Sequence, residues 1–320
     1  MIALVRRLKL VFFMMRLTII GFGNQAKAWA QNLKDSSFPI RIALQSGSRS
    51  IQKAKELGFE TVEIGSAEFY NDEAFAMLIP DHLHAEFMAQ YAPHFAPSSL
   101  ILFNHGYSLH KNNFQNIYPH LNHLLFAVKA IGSEIRTQYL NNGKLGAVYS
   151  LEFVSDKKNN ITPWLKALAQ ALGINMGPFQ TTFQNETWAD LYSEQAILCS
   201  LIPYSVSEVF NKMISEGIEP ELAYLECWHE LKLIVNAMVD KGPEAFFDLI
   251  SPNALVGSEK GYQRLLDSQF KRNLESLYTD IKDGSFDDEL NQTSIKELKS
   301  KINQRWSSSQ SMKTFHKMNP

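Results

Sequence analysis

Two carboxylate doublets hold the pattern in this chain most able to do chemistry: Asp190 with Glu194, and Glu226 with Glu230. Each is spaced i, i+4, and a helix of about 3.6 residues per turn puts both acids on one face, roughly 40° apart. Like charges so placed repel unless something positive sits between them, and a divalent cation is the simplest candidate. Leu222, Leu233 and Ala237 share the stripe of Glu226 and Glu230, while Ile197 and Leu201 continue that of Asp190 and Glu194. A solvated face gathers its charges together, whereas these acids interrupt stripes that should be buried, where an unpaired carboxylate is costly. Chance acid pairs on two surface helices would explain one doublet. Two doublets in two apolar stripes favour a metal site formed by Asp190, Glu194, Glu226 and Glu230.

A second candidate site opens the chain. The apolar run Leu17 to Ile20 is followed by Gly21-Phe22-Gly23-Asn24-Gln25-Ala26 and a helical stretch through Leu33. Strand, glycine turn and helix form the context in which G-x-G-x-x-A binds a dinucleotide. The first glycine permits the tight turn and the second lets the backbone approach a pyrophosphate at the helix N-terminus. Gly21, Gly23, Asn24 and Gln25 are the candidate phosphate-binding residues. After the second strand, Ile40 to Leu44, an NAD site would place an acid; the chain instead reads Gln45-Ser46-Gly47-Ser48-Arg49-Ser50. The hydroxyls of Ser48 and Ser50 and the Arg49 guanidinium suit a 2′-phosphate, which points to NADP(H). A polar loop capping the helix from Ser50 through Leu57 is equally compatible with these residues.

Further strands are expected at 74–79, 100–103, 124–128 and 147–153, with helices such as His84 to Tyr91 between them. This is a doubly wound α/β pattern. Two strands end in polar residues at the edge where open α/β sheets bind ligands, in Asn104-His105-Gly106 and at Lys129. The other histidines make no metal spacing. Thr162-Pro163 reads as a helix start, and from Thr181 onward helical patterns replace strands. The expected organisation is a leader over 1–16, a nucleotide-binding domain over 17–180 and an all-helical domain over 181–320. The helix opened by Pro220 is expected to run to about Val239 and is apolar around most of its circumference, so it needs cover from a bundle or a second subunit. The tail from Lys296 to Pro320, with Ser307-Ser308-Ser309, is expected to be frayed or disordered at its end.

With 320 residues, 45% of them hydrophobic, the chain can build a sizeable core, and 31 basic against 33 acidic residues give no footprint for nucleic acid. Only Cys199 and Cys227 occur, so no disulfide framework is expected and a cytoplasmic setting fits. Residues 1–16 are basic and then apolar, but too short to span a membrane.

Between Leu17 and Gly257 the chain resembles ketol-acid reductoisomerase, the branched-chain amino-acid enzyme, in its short form. The resemblance is strongest at Glu186-Thr187 with Asp190-Leu191 and Glu194-Gln195-Ala196, at Pro220-Glu221-Leu222-Ala223-Tyr224, and from Glu226-Cys227 through His229-Glu230-Leu231-Lys232-Leu233-Ile234-Val235. It implies a Rossmann domain carrying NADPH and a helical, often knotted domain that forms a homodimer through intertwined helices. It also implies that Asp190 and Glu194 bind one Mg²⁺, that Asp190 bridges to a second, and that Glu226 and Glu230 come from the partner subunit. Lys129 would organise the metal-bound water, His105 would lie near nicotinamide and substrate, and Glu230 would relay a proton. Ser251 would bond the carboxylate of an acetohydroxy acid, with Ile250 and Ala254 lining the alkyl pocket. The chain departs from the family pattern around Lys129, where Ala127-Val128-Lys129-Ala130-Ile131-Gly132 replaces a run richer in proline and glycine, and after Ser251, where Pro252-Asn253-Ala254-Leu255 has lost polar residues. Three activities stay open on the sequence: a reductoisomerase, a relative that reduces a 2-keto acid without alkyl migration, and a non-catalytic nucleotide-binding homologue.

Overall fold

The computed structural model describes residues 15–155 and 161–319; most of the expected leader, residues 1–14, lies outside them. The chain divides into two compact units, Met1–Thr187 and Trp188–Pro320. The first holds β1 (Leu17–Ile20), α1 (Asn24–Asp35), β2 (Ile40–Leu44), α2 (Ser50–Glu56), β3 (Thr61–Glu63), β4 (Ala74–Met77) and α3 (His84–Tyr91). It continues through β5 (Leu100–Phe103), α4 (Tyr107–Asn112), α5 (Phe114–Ile117), β6 (Asn122–Val128), α6 (Gly132–Leu140), β7 (Gly146–Phe153), α7 (Ile161–Leu172) and β8 (Met176–Gln180), and ends within α8 (Phe183–Ser193).

The strands form one sheet in the order β3-β2-β1-β4-β5-β6-β7-β8, parallel except between β6 and β7. Strands β1, β4 and β5 are buried along their whole length, because helices cover both faces. The period of two along each strand then divides the core. Leu17 and Ile19, Ala74 and Ala76, and Leu100 and Leu102 face a cluster with Trp29 of α1, Ile135 of α6 and Leu168 of α7. Ile20, Phe75, Met77, Ile101 and Phe103 face another with Phe87 of α3, Leu109 of α4 and Phe183 of α8. The doubly wound Rossmann-type sheet expected from the sequence is therefore present. β3 and β8 were not anticipated: β3 has three residues, and β8 carries Gly177-Pro178, a pair that reads as a breaker.

Two further expectations for this unit are corrected. Met15 and Arg16, counted with the leader, are held by the fold: Trp164 Nε1 donates to the Met15 carbonyl at 2.8 Å, and Arg16 Nη2 reaches Asp72 at 2.8 Å. Asp72 also pairs with the fully buried Arg41 of β2. Helix α7 includes Ile161, one residue before the expected Thr162 start.

In the second unit a π-helical turn at Glu194–Leu198 leads to α9 (Leu201–Ser215) and α10 (Pro220–Tyr224), and another at Leu225–His229 leads to α11 (Glu230–Lys241) and α12 (Pro243–Phe247). Then come α13 (Pro252–Leu265), α14 (Ser268–Asp283), α15 (Ser285–Gln292), α16 (Ile295–Ser307) and α17 (Gln310–Met318). The continuous helix expected from Pro220 is thus interrupted by a π turn. The tail is helical from Ile295 to Ser307 and from Gln310 to Met318. Ser309 caps α17 by accepting from Met312 N at 3.2 Å, while Trp306 packs 5.5 Å from Tyr204 and 6.1 Å from Trp228, and Phe315 lies 6.4 Å from Tyr224. Aromatic anchoring outweighs the polar composition that suggested a loose end. Among the described residues no helix is long and apolar enough to cross a membrane.

Candidate active site

The carboxyl ends of adjacent strands carry the first cluster. His105 and Gly106 follow β5, and Lys129 follows β6; the two strand ends are tied by Val128 N donating to Asn104 Oδ1 at 3.3 Å. Between them comes Glu186, from the first turn of α8. That turn is fixed by Phe183 N donating to Glu152 Oε2 at 2.8 Å, by Asn185 N donating to Thr182 Oγ1 at 2.9 Å, and by Phe183 packing into the core. One Glu186 oxygen accepts from His105 Nδ1 at 2.9 Å and from Gly106 N at 2.6 Å, and the other accepts from Lys129 Nζ at 2.5 Å. Its side chain is 1% exposed. Burial pushes the Glu186 carboxyl up, but the hydrogen bonds and positive charge of His105 and Lys129 outweigh it and hold the group below its ordinary value. An ionised carboxylate only accepts, so His105 carries a proton on Nδ1 and donates it to Glu186. Gly106 is obligatory here, since an added Cβ would lie 2.7 Å from Thr187 Oγ1 and 2.9 Å from Glu186 Oε2.

His105 and Lys129, both singled out from sequence, are therefore brought together by Glu186, a residue that carries the family resemblance but was not expected in the site. The missed signal was spacing. Glu186, Asp190 and Glu194 continue one i, i+4, i+8 series.

The nucleotide turn has the geometry its motif requires. Gly21 sits at φ +96°, and a Cβ there would lie 2.8 Å from Ile79 Cγ2 and 3.0 Å from the Leu78 carbonyl oxygen. At Gly23 a Cβ would meet nothing within 4 Å, and the start of α1 has no side-chain cap. Asn24 is exposed and Gln25 half-buried beside it. In the loop after β2, Gly47 turns at φ +73°, Ser48 Oγ accepts from Ser50 N at 3.3 Å, and Arg49 is exposed. This is a cradle that fits a dinucleotide.

The helical unit holds the remaining candidates. Asp190 is half-buried on α8; Glu194 begins the first π turn, whose i→i+5 bond runs from Cys199 N to the Glu194 carbonyl at 2.9 Å. Glu226 lies within the second π turn and Glu230 directly after it, both exposed. Among the described residues, Glu194, Glu226 and Glu230 belong to no group of three potential metal ligands. One chain alone does not gather the two doublets. The donor set still fits a hard cation: every candidate ligand atom is a carboxylate oxygen. The neighbouring thiols do not compete, because burial, reinforced by Glu194 and Asp190, raises the pKa of Cys199, and burial with Glu226 raises that of Cys227. Ile250 is half-buried, and the exposed Ser251 caps α13 by accepting from Ala254 N at 3.2 Å, leaving its O–H able to donate.

Two family models divide the chain in the same sense. The ketol-acid reductoisomerase C-terminal domain matches residues 183–318, and the acetohydroxy acid isomeroreductase NADPH-binding domain matches residues 13–177. The chain belongs to the ketol-acid reductoisomerase family. It is an enzyme of the NAD(P)-dependent oxidoreductase/isomerase class. Its fold is similar to that of an NADH-preferring ketol-acid reductoisomerase from an uncultured archean, with 25% identity over 95% of this chain and 94% of that one and a TM-score of 0.78. The likeness extends, as fold alone, to a pyrroline-5-carboxylate reductase from Coxiella burnetii, with a TM-score of 0.61 at 13% identity over 84% of this chain and 98% of that one. It also extends to a semialdehyde dehydrogenase NAD-binding protein from Cupriavidus necator, with a TM-score of 0.59 at 16% identity over 84% of this chain and 99% of that one.

Proposed function

We propose that this chain converts an acetohydroxy acid of the 2-acetolactate type to a 2,3-dihydroxy acid by alkyl migration and reduction, using NADPH and two Mg²⁺ ions. The observation that carries this reading is the buried Glu186 that joins His105 to Lys129 at the ligand-binding edge of the sheet. Asp190, Glu194, Glu226 and Glu230 would hold the metal ions, and Gly21, Gly23, Asn24, Gln25, Ser48, Arg49 and Ser50 the nucleotide. When bound, the two groups would supply Lewis acidity for the paired substrate oxygens and a hydride for the new ketone.

The protein's own groups perform the positioning and the proton handling. Glu186 holds the Lys129 ammonium where negative charge develops on a substrate oxygen. His105, fixed through Nδ1, offers Nε2 to the reacting groups. Glu230 carries a proton, Ser251 donates to the substrate carboxylate, and Ile250 and Ala254 bound the migrating alkyl group. Preference for NADPH over NADH rests on Ser48, Arg49 and Ser50 and on the absence of an acid between Gln45 and Ser50. Leu222, Leu225, Leu233 and Val239 are exposed in the single chain, which supports a homodimer that covers them and completes the carboxylate set from two subunits. We place the enzyme in the cytoplasm, with neither nucleic acid nor membrane as partner.

Following NADPH oxidation with 2-acetolactate, and separately with 3-hydroxy-3-methyl-2-ketobutyrate, each with and without Mg²⁺, tests the proposal. Turnover of both, with the acetolactate reaction lost on chelation, is the expected result. Turnover of the ketobutyrate alone would make the protein a keto-acid reductase, and turnover of neither would overturn the substrate assignment.

A further inference from the structure

Gly132 opens α6 at a point where a side chain has no room. An ideal Cβ there would lie 2.7 Å from both C and O of Asn24 and 2.9 Å from N of Gln25. These are backbone atoms in the first turn of α1, directly after Gly23, so no change of rotamer relieves the overlap. The rest of α6 is strapped along α1. Asn32 Nδ2 donates to the Ile135 carbonyl at 3.3 Å, Arg136 Nη1 donates to Asn32 Oδ1 at 2.9 Å, Arg136 pairs with Asp35 at 2.7 Å, and the hydroxyls of Ser36 and Tyr139 meet at 2.8 Å. Partners advance together along both helices, so α1 and α6 run parallel and Gly132 meets α1 at its N-terminal end. Ala26, the small residue closing the glycine motif, is fully buried in the core cluster that also holds Ile135 of α6.

We propose that Gly132 is a positioning residue of the nucleotide site: with no side chain, it lets α6 seat on the Asn24–Gln25 backbone and so fixes the turn whose N–H groups receive the phosphates. The proposal rests on the glycine turn being that site, which NADPH binding by the unaltered protein tests separately. Gly132→Ala forces α6 and the first turn of α1 apart, and the cost falls on cofactor affinity before it falls on the chemistry. Lys129, three residues upstream, keeps its partner Glu186.

The test is NADPH fluorescence titration of the full chain, well below its thermal midpoint, for Gly132→Ala and for Arg136→Ala. Arg136→Ala cuts the strap without touching the turn. Gly132→Ala should raise the Kd for NADPH at least about tenfold, with KM for NADPH rising and kcat at saturating NADPH retained, whereas Arg136→Ala should lower Tm and leave Kd within about twofold. A folded Gly132→Ala protein that binds NADPH as the wild type does overturns the proposal. So does equal weakening by Arg136→Ala, which would mark the effect as general destabilisation. If Gly132→Ala does not fold, amide hydrogen exchange of the wild type decides: NADPH should protect the first turn of α6 together with that of α1, and absence of protection at 132–135 overturns the assignment. A wild-type chain that binds no NADPH would remove the nucleotide reading itself and the proposal with it.

Discussion

Burial pushes the Glu186 carboxyl up, yet the His105 ring and the Lys129 ammonium hold it below its ordinary value, and that balance gives the site a pH dependence of known sign. Its folded value lies below the ordinary 4.5, so the stability it contributes is present above about pH 4.5 and is lost as pH falls through the depressed value. Glu186→Gln leaves an acceptor but removes the charge. It should cost about 1–3 kcal/mol at neutral pH and lower kcat about tenfold to hundredfold, while flattening the loss of Tm as pH falls below the ordinary 4.5. Thermal melts across that range check it; an acid limb identical to wild type would remove Glu186 from this role. At the second doublet, Glu226→Gln should reduce turnover of 2-acetolactate by at least about a hundredfold and weaken Mg²⁺ binding measured calorimetrically, with NADPH affinity unchanged. An unaltered acetolactate rate would sink the ligand assignment.

Between elements, the connections place His105, Lys129 and the loop after β2. The loop from β2 to α2 turns at Gly47 and leaves Arg49 exposed beside Ser48 and Ser50. Arg49→Ala should therefore raise the Kd for NADPH about tenfold and leave that for NADH nearly unchanged, because only the former carries the 2′-phosphate. Equal loss for both nucleotides in parallel titrations would mean that Arg49 contacts something else. Each carboxylate doublet also adjoins a π-helical turn, at Glu194–Leu198 and at Leu225–His229. Single π turns inside helices recur at functional sites, where the extra residue redirects side chains without ending the helix. A wheel drawn at the ordinary period places these acids on one face, but it does not describe the helix surface beyond the π turn.

For the whole molecule, the most informative feature is apolar surface that the single chain leaves open. Leu222 is 47% exposed, Leu233 54% and Val239 68%, on the same stretch that carries Glu226 and Glu230. Leu233→Glu should produce a monomer in analytical ultracentrifugation that still binds NADPH through its first unit and has lost turnover. A fully active dimer after that substitution would show that this face is not the interface.

Much of this protein was legible in its residues. The short apolar runs of β1, β4 and β5, the glycine turn and the helix from His84 to Tyr91 are local patterns, so hydrophobic patterning and turn chemistry suffice to find them. His105 and Lys129 were found from their position at strand ends. The short strand β3, the edge strand β8 and the ordered tail depend instead on neighbours distant in sequence, such as the ring of Trp228 against Trp306. The residue types and spacing determined by themselves which groups are able to do chemistry and the family to which they belong. Only the tertiary structure decided that Glu186 joins His105 to Lys129, since they lie 81 and 57 positions away, and that Gly132 seats on the turn at Asn24. Contacts of that range arise from packing the sheet and its helices together, a process that leaves no periodic trace in any one segment.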